Sequence, residues 1–203
     1  MKSLPKDLES TYDQILDRIN SQEIPAAKVI LQWLVLGMSP LTLEELAIVV
    51  TFDPSSFKFN SSLELAHPDD VIQVCSSLVI KTVNTVQLAH PSVKEYFLHK
   101  PRKIALSNTK SGHATIAHCC LEYLVTHREE IFPPLSWYSI HFWHDHYKLS
   151  NKNETLQETV TAFLQAKDAA FNTLRMEYYV YTTQGIIECY GNIPVNYAAI
   201  LGL

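Results

Sequence analysis

The chain has 203 residues, of which 47% are hydrophobic and 18% charged, a composition that supports one sizeable core and a second, smaller one. Its formal net charge of -5 excludes the strongly basic balance that is typical of nucleic-acid-binding proteins. The most apolar stretch, residues 24–36, is interrupted by Lys28 and Gln32 and is shorter than the roughly 20 residues of a membrane-spanning helix, so we expect no membrane partner.

Neither the first residues nor the cysteines indicate export. The polar run over residues 1–7 leads into no apolar signal segment. The four cysteines, Cys75, Cys119, Cys120 and Cys189, show neither metal-binding spacing nor a disulfide framework. We therefore expect a cytoplasmic protein with reduced, mostly buried thiols.

The first quarter of the chain predicts short helices. Apolar residues recur at helical spacing over residues 8–20. Residues 26–37 are apolar on nearly every face, which predicts a buried helix that ends at a glycine. Thr42 and Glu45, three residues apart, form a capping box that begins a further short helix. Turn residues over 52–56 then predict a loop.

A hairpin follows a third short helix, which is predicted over residues 68–77. The two β-branched runs at 78–82 and 85–89 flank a short polar turn and predict two antiparallel strands. Residues 92–99 return to helical spacing. This order of elements predicts a winged helix over about residues 24–100.

Side chains from several of these elements would fill the winged-helix core. The expected members are Trp33, Leu46, Val74 and Phe97. Ser92 and Glu95 are candidate cap partners of the last helix.

Beyond residue 101 a basic loop runs to residue 111, and three further helical segments are predicted. Their apolar positions are Ile116, Cys120, Tyr123 and Leu124 in the first, Leu135, Tyr138, Phe142 and Trp143 in the second, and Leu156, Val160, Phe163 and Leu164 in the third. The predicted fold class is therefore mainly α: a winged helix, built of helices and a small β-hairpin, followed by an α-helical spacer.

These motifs, in this order, resemble fungal NACHT-type signalling ATPases of the STAND class. The resembling parts are the linker helix after the ATPase core (residues 4–16), the start of the winged helix (31–46), its wing and last helix (75–96), a helical spacer (132–143) and the opening of an ankyrin repeat (194–203). In some classifications this winged helix carries the label GPI inositol-deacylase winged helix. The resemblance implies four segments: a linker helix from a NACHT-type core at 1–23, the winged-helix domain at 24–100, the helical spacer at 101–190 and a truncated ankyrin repeat at 191–203.

The ATPase itself is missing from this sequence. No G-x-x-x-x-G-K-[ST] motif or other glycine-rich loop occurs to cradle nucleotide phosphates. The resemblance thus implies a non-catalytic regulatory fragment that couples an NTPase core to a repeat sensor. Its partners would be the NACHT core and ankyrin repeats, and we expect no catalytic residue, no cofactor and no metal in the fragment.

His90 is the candidate site residue, because it closes the predicted wing and opens the next helix. In the ATPases that the chain resembles, a histidine at this place lies near the phosphates of the bound nucleotide. The resemblance therefore implies that His90 senses the nucleotide state when an NTPase core is present. The residues alone favour a simpler role, a cap for the helix that begins at Pro91.

A second group of histidines, His141, His144 and His146, lies next to Asp145. Residues 141 and 144 share a helical face, so a zinc site is one interpretation. Residues 144 and 146 face different ways on a helix, and their aromatic neighbours indicate packing. We expect structural histidines.

Two other functions fit the sequence less well. A DNA-binding winged helix would insert residues 68–77, which contain Asp69 and Asp70 and no Lys or Arg, so phosphate would repel this helix. The basic stretch formed by Lys94, Lys100, Arg102, Lys103 and Lys110 is interpreted as a solvated face or a domain junction. A hydrolase is a remote alternative because no serine stands in a G-x-S-x-G elbow.

The resemblance at residues 194–203 covers about a third of the ~33-residue ankyrin unit. A single repeat cannot bury its apolar face without a neighbour. We therefore expect this segment to fray or to self-associate, and the chain to be a truncated product.

Overall fold

The computed structural model describes residues 6–99, 108–127 and 133–165. Within these residues the chain forms two compact units, with the division between Gly112 and His113. The helices are α1 (Lys6–Asp17), α2 (Ile24–Leu36), α3 (Leu43–Val50), α4 (Asp70–Cys75), α5 (Pro91–His99), α6 (Thr109–Thr126), α7 (Ser136–Leu149) and α8 (Glu154–Gln165). The strands are β1 (Phe52–Asp53), β2 (Lys58–Phe59), β3 (Val79–Lys81) and β4 (Val86–Leu88).

The first unit contains a winged-helix domain, as the sequence predicts. Helix α2 packs against α3 and α4, and the antiparallel hairpin β3–β4 forms the wing. Outside the two strands, Leu41 pairs with Val86 through a single antiparallel bridge, which connects the segment before α3 to the wing. The four expected core side chains are all buried: Trp33, Leu46, Val74 and Phe97.

Helix α2 is the centre of this core, since it is buried on nearly every face. Ile30, Leu31 and Val35 have at most 1% of their surface exposed. Full burial of such a side chain stabilises the fold by about 1.5–3 kcal/mol. The helix ends where the Gly37 N–H donates to the Trp33 carbonyl over 2.7 Å.

The predicted capping box at α3 is confirmed. The Glu45 N–H donates to the Thr42 hydroxyl over 3.2 Å, and the Thr42 N–H donates to the Glu45 carboxylate over 2.8 Å. Burial raises the pKa of Glu45, and the hydrogen bonds from Thr42 oppose that rise. The box satisfies two backbone donors at a helix end that lies beside the wing.

Some elements differ from the prediction. The segment predicted as a loop over 52–56 begins with β1, which pairs with β2 and brings the rings of Phe52 and Phe59 to 5.5 Å. Helix α4 is shorter than 68–77 and continues as a 3-10 turn over Ser76–Leu78, because Ser76 adopts a positive φ of 54° that ends the α-helix.

Helix α1, assigned from the sequence to a linker, lies in the same compact unit as the winged helix and contacts α5. Tyr12, Leu16 and Ile19 are buried in this unit. The predicted apolar spacing over residues 8–20 is thus explained by packing on the winged helix.

The second unit holds α7, α8 and α6 from His113 onward. Residues 116–121 are buried on every side, so the apolar surface of α6 is wider than the stripe that the sequence predicts. Cys119 and Cys120 are buried, as is Cys75 in the first unit, which confirms that these three thiols are buried. Burial raises the pKa of Cys120 to about 12.

Several predictions fall on residues outside the described ranges. These are the basic loop over 101–107, the last part of the spacer, Cys189 and the segment 191–203 that resembles an ankyrin repeat. Among the described residues, no helix is long and apolar enough to cross a membrane.

Candidate functional site

The candidate site is the junction of α1 and α5, where two hydrogen bonds join the helices. The Tyr12 and Ser92 hydroxyls lie 2.6 Å apart, and the Tyr96 hydroxyl donates to the Asp13 carboxylate over 2.5 Å. The rings of Tyr12 and Tyr96 also contact each other, with centroids 5.3 Å apart. Because Tyr12, Ser92 and Tyr96 are all buried, these contacts fix α1 against α5 with little competition from water.

His90 stands at the end of this hydrogen-bond chain. The Ser92 backbone N–H donates to Nδ1 of His90 over 3.2 Å, and the Ser92 hydroxyl lies 2.7 Å from the same nitrogen. His90 therefore caps α5, which begins at Pro91, and the simpler role inferred from the residues is confirmed. The Ser92 hydroxyl lies against Tyr12 and His90, and the pairing of Ser92 with Glu95 as cap partners stays a prediction.

The hydrogen bonds determine where the proton lies on the neutral His90 ring. Nδ1 accepts from a backbone N–H, so it carries no proton itself, and the proton lies on Nε2. The Ser92 hydroxyl then donates to Nδ1, and its oxygen accepts from the Tyr12 hydroxyl. His90 is exposed, and its Nε2 makes no hydrogen bond to any described residue. The site thus offers one N–H donor, which suits an anion.

The second group of histidines is divided among separate partners. Nδ1 of His141 donates to the Trp137 carbonyl over 2.7 Å, and its ring stacks on the Trp137 ring, while His144 lies 3.5 Å from Asp145. His146 is fully buried, and its hydrogen-bond partners are His113 and Tyr138. Within residues 6–99, 108–127 and 133–165, no three metal-binding side chains converge.

The partners of His146 form a buried polar chain in the second unit. Its Nδ1 lies 2.8 Å from Nδ1 of His113, and its Nε2 lies 2.9 Å from the Tyr138 hydroxyl. Burial, together with the neighbouring His113 and His144, lowers the pKa of His146 to about 3. Burial alone lowers the pKa of His118, in the same unit, to about 4. These two histidines are therefore neutral structural groups near neutral pH.

The helix that a DNA-binding winged helix would insert is acidic, and the aspartate directly before it is paired with a lysine of the wing. Helix α4 carries Asp70 in its first turn, and Asp69 directly before it forms an ion pair with Lys81 of the wing over 2.8 Å. Of the predicted basic stretch, Lys94 and Lys110 are described and exposed, and the other three lie outside the described residues.

A groove of about 280 Å³ lies between the end of α2 and the wing. Its lining includes Trp33, Met38, Leu41 and Leu88 and contains no charged side chain. The lining also includes the polar side chains of Ser39 and Gln87, but it offers no cation to a phosphate group.

The residues that sequence reasoning missed are Tyr12 and Asp13. Tyr12 is visible in the sequence as part of the apolar stripe of α1, but its hydroxyl partner lies 80 residues away. The sequence does hold a signal for this contact, because a buried tyrosine in an otherwise apolar stripe usually has a hydrogen-bond partner.

Comparison with known proteins supports the fold. The family model described as GPI inositol-deacylase, winged helix domain, matches residues 13–108, a range that begins within α1, after Tyr12, and includes α2 to α5 and the wing. A protein of Monascus ruber, described as azaphilone pigments biosynthesis cluster protein L, is 27% identical over 239 aligned positions. The alignment covers 100% of this chain and 50% of that relative, so the chain spans about half its length. No solved structure matches the chain.

Proposed function

We propose that this chain is a non-catalytic regulatory and interaction segment of a NACHT-type signalling protein, which couples an NTPase core to a repeat sensor. The observation that carries the proposal is the chain of hydrogen bonds from Tyr12 of α1 through Ser92 to His90. In the resembling ATPases, the helix at the place of α1 follows the core directly. A displacement of α1 by the core would therefore act on His90.

In this proposal the nucleotide is bound by the core and is sensed by His90. The exposed ring carries its proton on Nε2, which can donate to a phosphate oxygen at a domain edge. A contact that forms only with one nucleotide state would stabilise that state by its differential free energy. The segment itself contributes no phosphate loop, so it has no nucleotide site of its own.

The burial of Ser92 supports a non-catalytic role. A hydroxyl 2.7 Å from a histidine nitrogen resembles part of a hydrolytic dyad. However, only 6% of Ser92 is exposed, and its oxygen already accepts from Tyr12. A substrate carbonyl could not approach that oxygen, so we interpret the pair as a helix cap.

The acidic α4 argues against the DNA-binding alternative. A recognition helix needs cations toward phosphate, whereas Asp69 and Asp70 would oppose the backbone of DNA and Asp69 already neutralises Lys81. A gel shift with duplex DNA should show at most non-specific binding that disappears at physiological salt. A sequence-selective shift that survives this salt would favour the alternative.

Calorimetry with a purified fungal NACHT ATPase core loaded with ADP tests the proposal. The chain should bind the loaded core, and it should not bind ADP alone more tightly than ~100 μM, about -5.5 kcal/mol. Absence of binding to the core, or tight binding of ADP by the chain alone, would contradict the proposal.

A further inference from the structure

We infer that the groove between the end of α2 and the wing binds an extended peptide segment of a protein partner. The peptide pairs with the open edge of β4 at Leu88 and places one uncharged, apolar side chain in the groove. This inference goes beyond the proposed function, because it involves neither His90 nor a nucleotide.

The hydrogen bonds of the wing determine which way the backbone of Leu88 points. Next to it, the Ala89 N–H donates to the Leu78 carbonyl within the hairpin over 2.9 Å. The backbone groups of successive residues in an antiparallel strand alternate between its two edges, so those of Leu88 point away from β3. Val86, two residues earlier, shows the same direction, since its N–H donates to the Leu41 carbonyl outside the hairpin over 2.8 Å.

The edge of β4 is open beyond Val86. The antiparallel bridge between Leu41 and Val86 sets a register in which Ser39 would stand opposite Leu88, but no backbone hydrogen bond joins these two residues. Among the residues that the structure describes, neither the N–H nor the carbonyl of Leu88 has a hydrogen-bond partner. An open strand edge offers this donor and this acceptor to the backbone of a further strand.

The groove provides an apolar subsite beside this edge. Side chains that stand opposite each other in an antiparallel pair lie on the same face, so the peptide side chain opposite Leu88 lies on the face of the strand that carries Val86. Val86 is buried, β4 contacts α2, and Trp33 and Leu34 of α2 line the groove. The peptide side chain is therefore received by apolar groups.

The size and charge of the groove select the occupant. Its volume of about 280 Å³ is at the lower limit of the roughly 300–1,000 Å³ of sites for whole small molecules, so it suits a single side chain of a longer ligand. No charged side chain lines it, so charge complementarity favours an uncharged residue at this position of the peptide.

NMR titration of the whole chain with N-acetyl-leucine methylamide tests the inference, because this probe carries one apolar side chain between two peptide groups. It should shift the Leu88 amide signal and the Trp33 indole signal saturably, with a dissociation constant on the order of millimolar for so small a ligand. The amide of Ile80, which does not line the groove, should not shift.

Two matched probes separate the backbone contact from the side-chain contact. In the depsipeptide analogue an ester oxygen replaces the leucine N–H, so the donor to the Leu88 carbonyl is lost, and binding should weaken about five-fold. N-acetyl-lysine methylamide keeps both peptide groups and carries a charge, so it should bind at least as much more weakly.

Three results would overturn the inference. One is the absence of a saturable shift at Leu88 with the leucine probe. Another is equal affinity for the depsipeptide, which would show an apolar small-molecule pocket without strand pairing. The third is equal affinity for the lysine probe. All three results come from the wild-type chain, so none depends on a variant that folds.

Discussion

The second unit should lose stability in mild acid because it buries two neutral histidines. His118 and His146 are 2% and 0% exposed, and burial lowers their pKa to about 4 and about 3. In the unfolded chain an ordinary histidine pKa is about 6.5. The unfolded state therefore takes up protons at these positions below that pH while the folded state does not. The associated stability is complete above pH 6.5 and is lost as the pH falls toward the folded values.

The expected loss follows from proton linkage. At pH 5, each of these histidines favours the unfolded state by about 2 kcal/mol relative to pH 7.5, since its unfolded pKa lies about 1.5 units above that pH. The two together give about 4 kcal/mol, a large part of the 5–15 kcal/mol that typically stabilises a domain. Each replacement by glutamine should remove about half of this pH dependence.

Urea unfolding at pH 7.5 and pH 5 measures this loss when each unit is observed separately. The indole N–H NMR signal of Trp143 reports on the second unit, and that of Trp33 reports on the first. The control Val160→Ala truncates a fully buried side chain of α8, so it should lower stability equally at both pH values and leave the pH dependence intact. If His146→Gln kept the full pH dependence of the Trp143 transition, the argument from burial would be wrong.

The other predictions concern the caps, core and thiols. Thr42→Ala should lower the free energy of unfolding, measured in urea, by about 1 kcal/mol, because it removes the cap of α3. The control Thr161→Ala, on the exposed face of α8, should lower it little, and an equal loss in both variants would contradict the capping argument. Leu46→Ala should cost about 2–5 kcal/mol by the same assay, since Leu46 is fully buried, and a loss below 1 kcal/mol would show a loosely packed core. Iodoacetamide at neutral pH should leave Cys75, Cys119 and Cys120 unmodified in the folded chain and label them in urea, as mass spectrometry would reveal; rapid labelling of the folded chain would show that they are accessible.

The parts of the fold that could be predicted are those with a strong local signal. The capping box at Thr42 and the buried pattern of α2 appear within a few residues, so their helices were found close to the observed bounds. Strands β1 and β2 have two residues each, which is too short for an alternating pattern to appear. Their pairing depends on the contact between Phe52 and Phe59 across a turn.

The site could be predicted only in part, because its contacts are distant in the sequence. His90 was found from its position between the wing and α5. The hydrogen bonds around His90 depend on the contact between Tyr12 and Ser92, which lie 80 residues apart. Likewise, Asp13 contacts Tyr96, which lies 83 residues later in the chain. Similarly, the spacing of the second histidine group could not show that His146 pairs with His113, 33 residues earlier.

The rate of ADP release measures whether this segment regulates a nucleotide-binding core through His90, as proposed. A fungal NACHT ATPase core would be loaded with a fluorescent ADP analogue and mixed with the wild-type chain, with His90→Gln, or with the control His67→Gln at an exposed residue before α4. We expect slower release with the wild-type chain and with the control, and faster release, approaching that of the core alone, with His90→Gln. Equal release rates with the wild-type chain and with His90→Gln would contradict it.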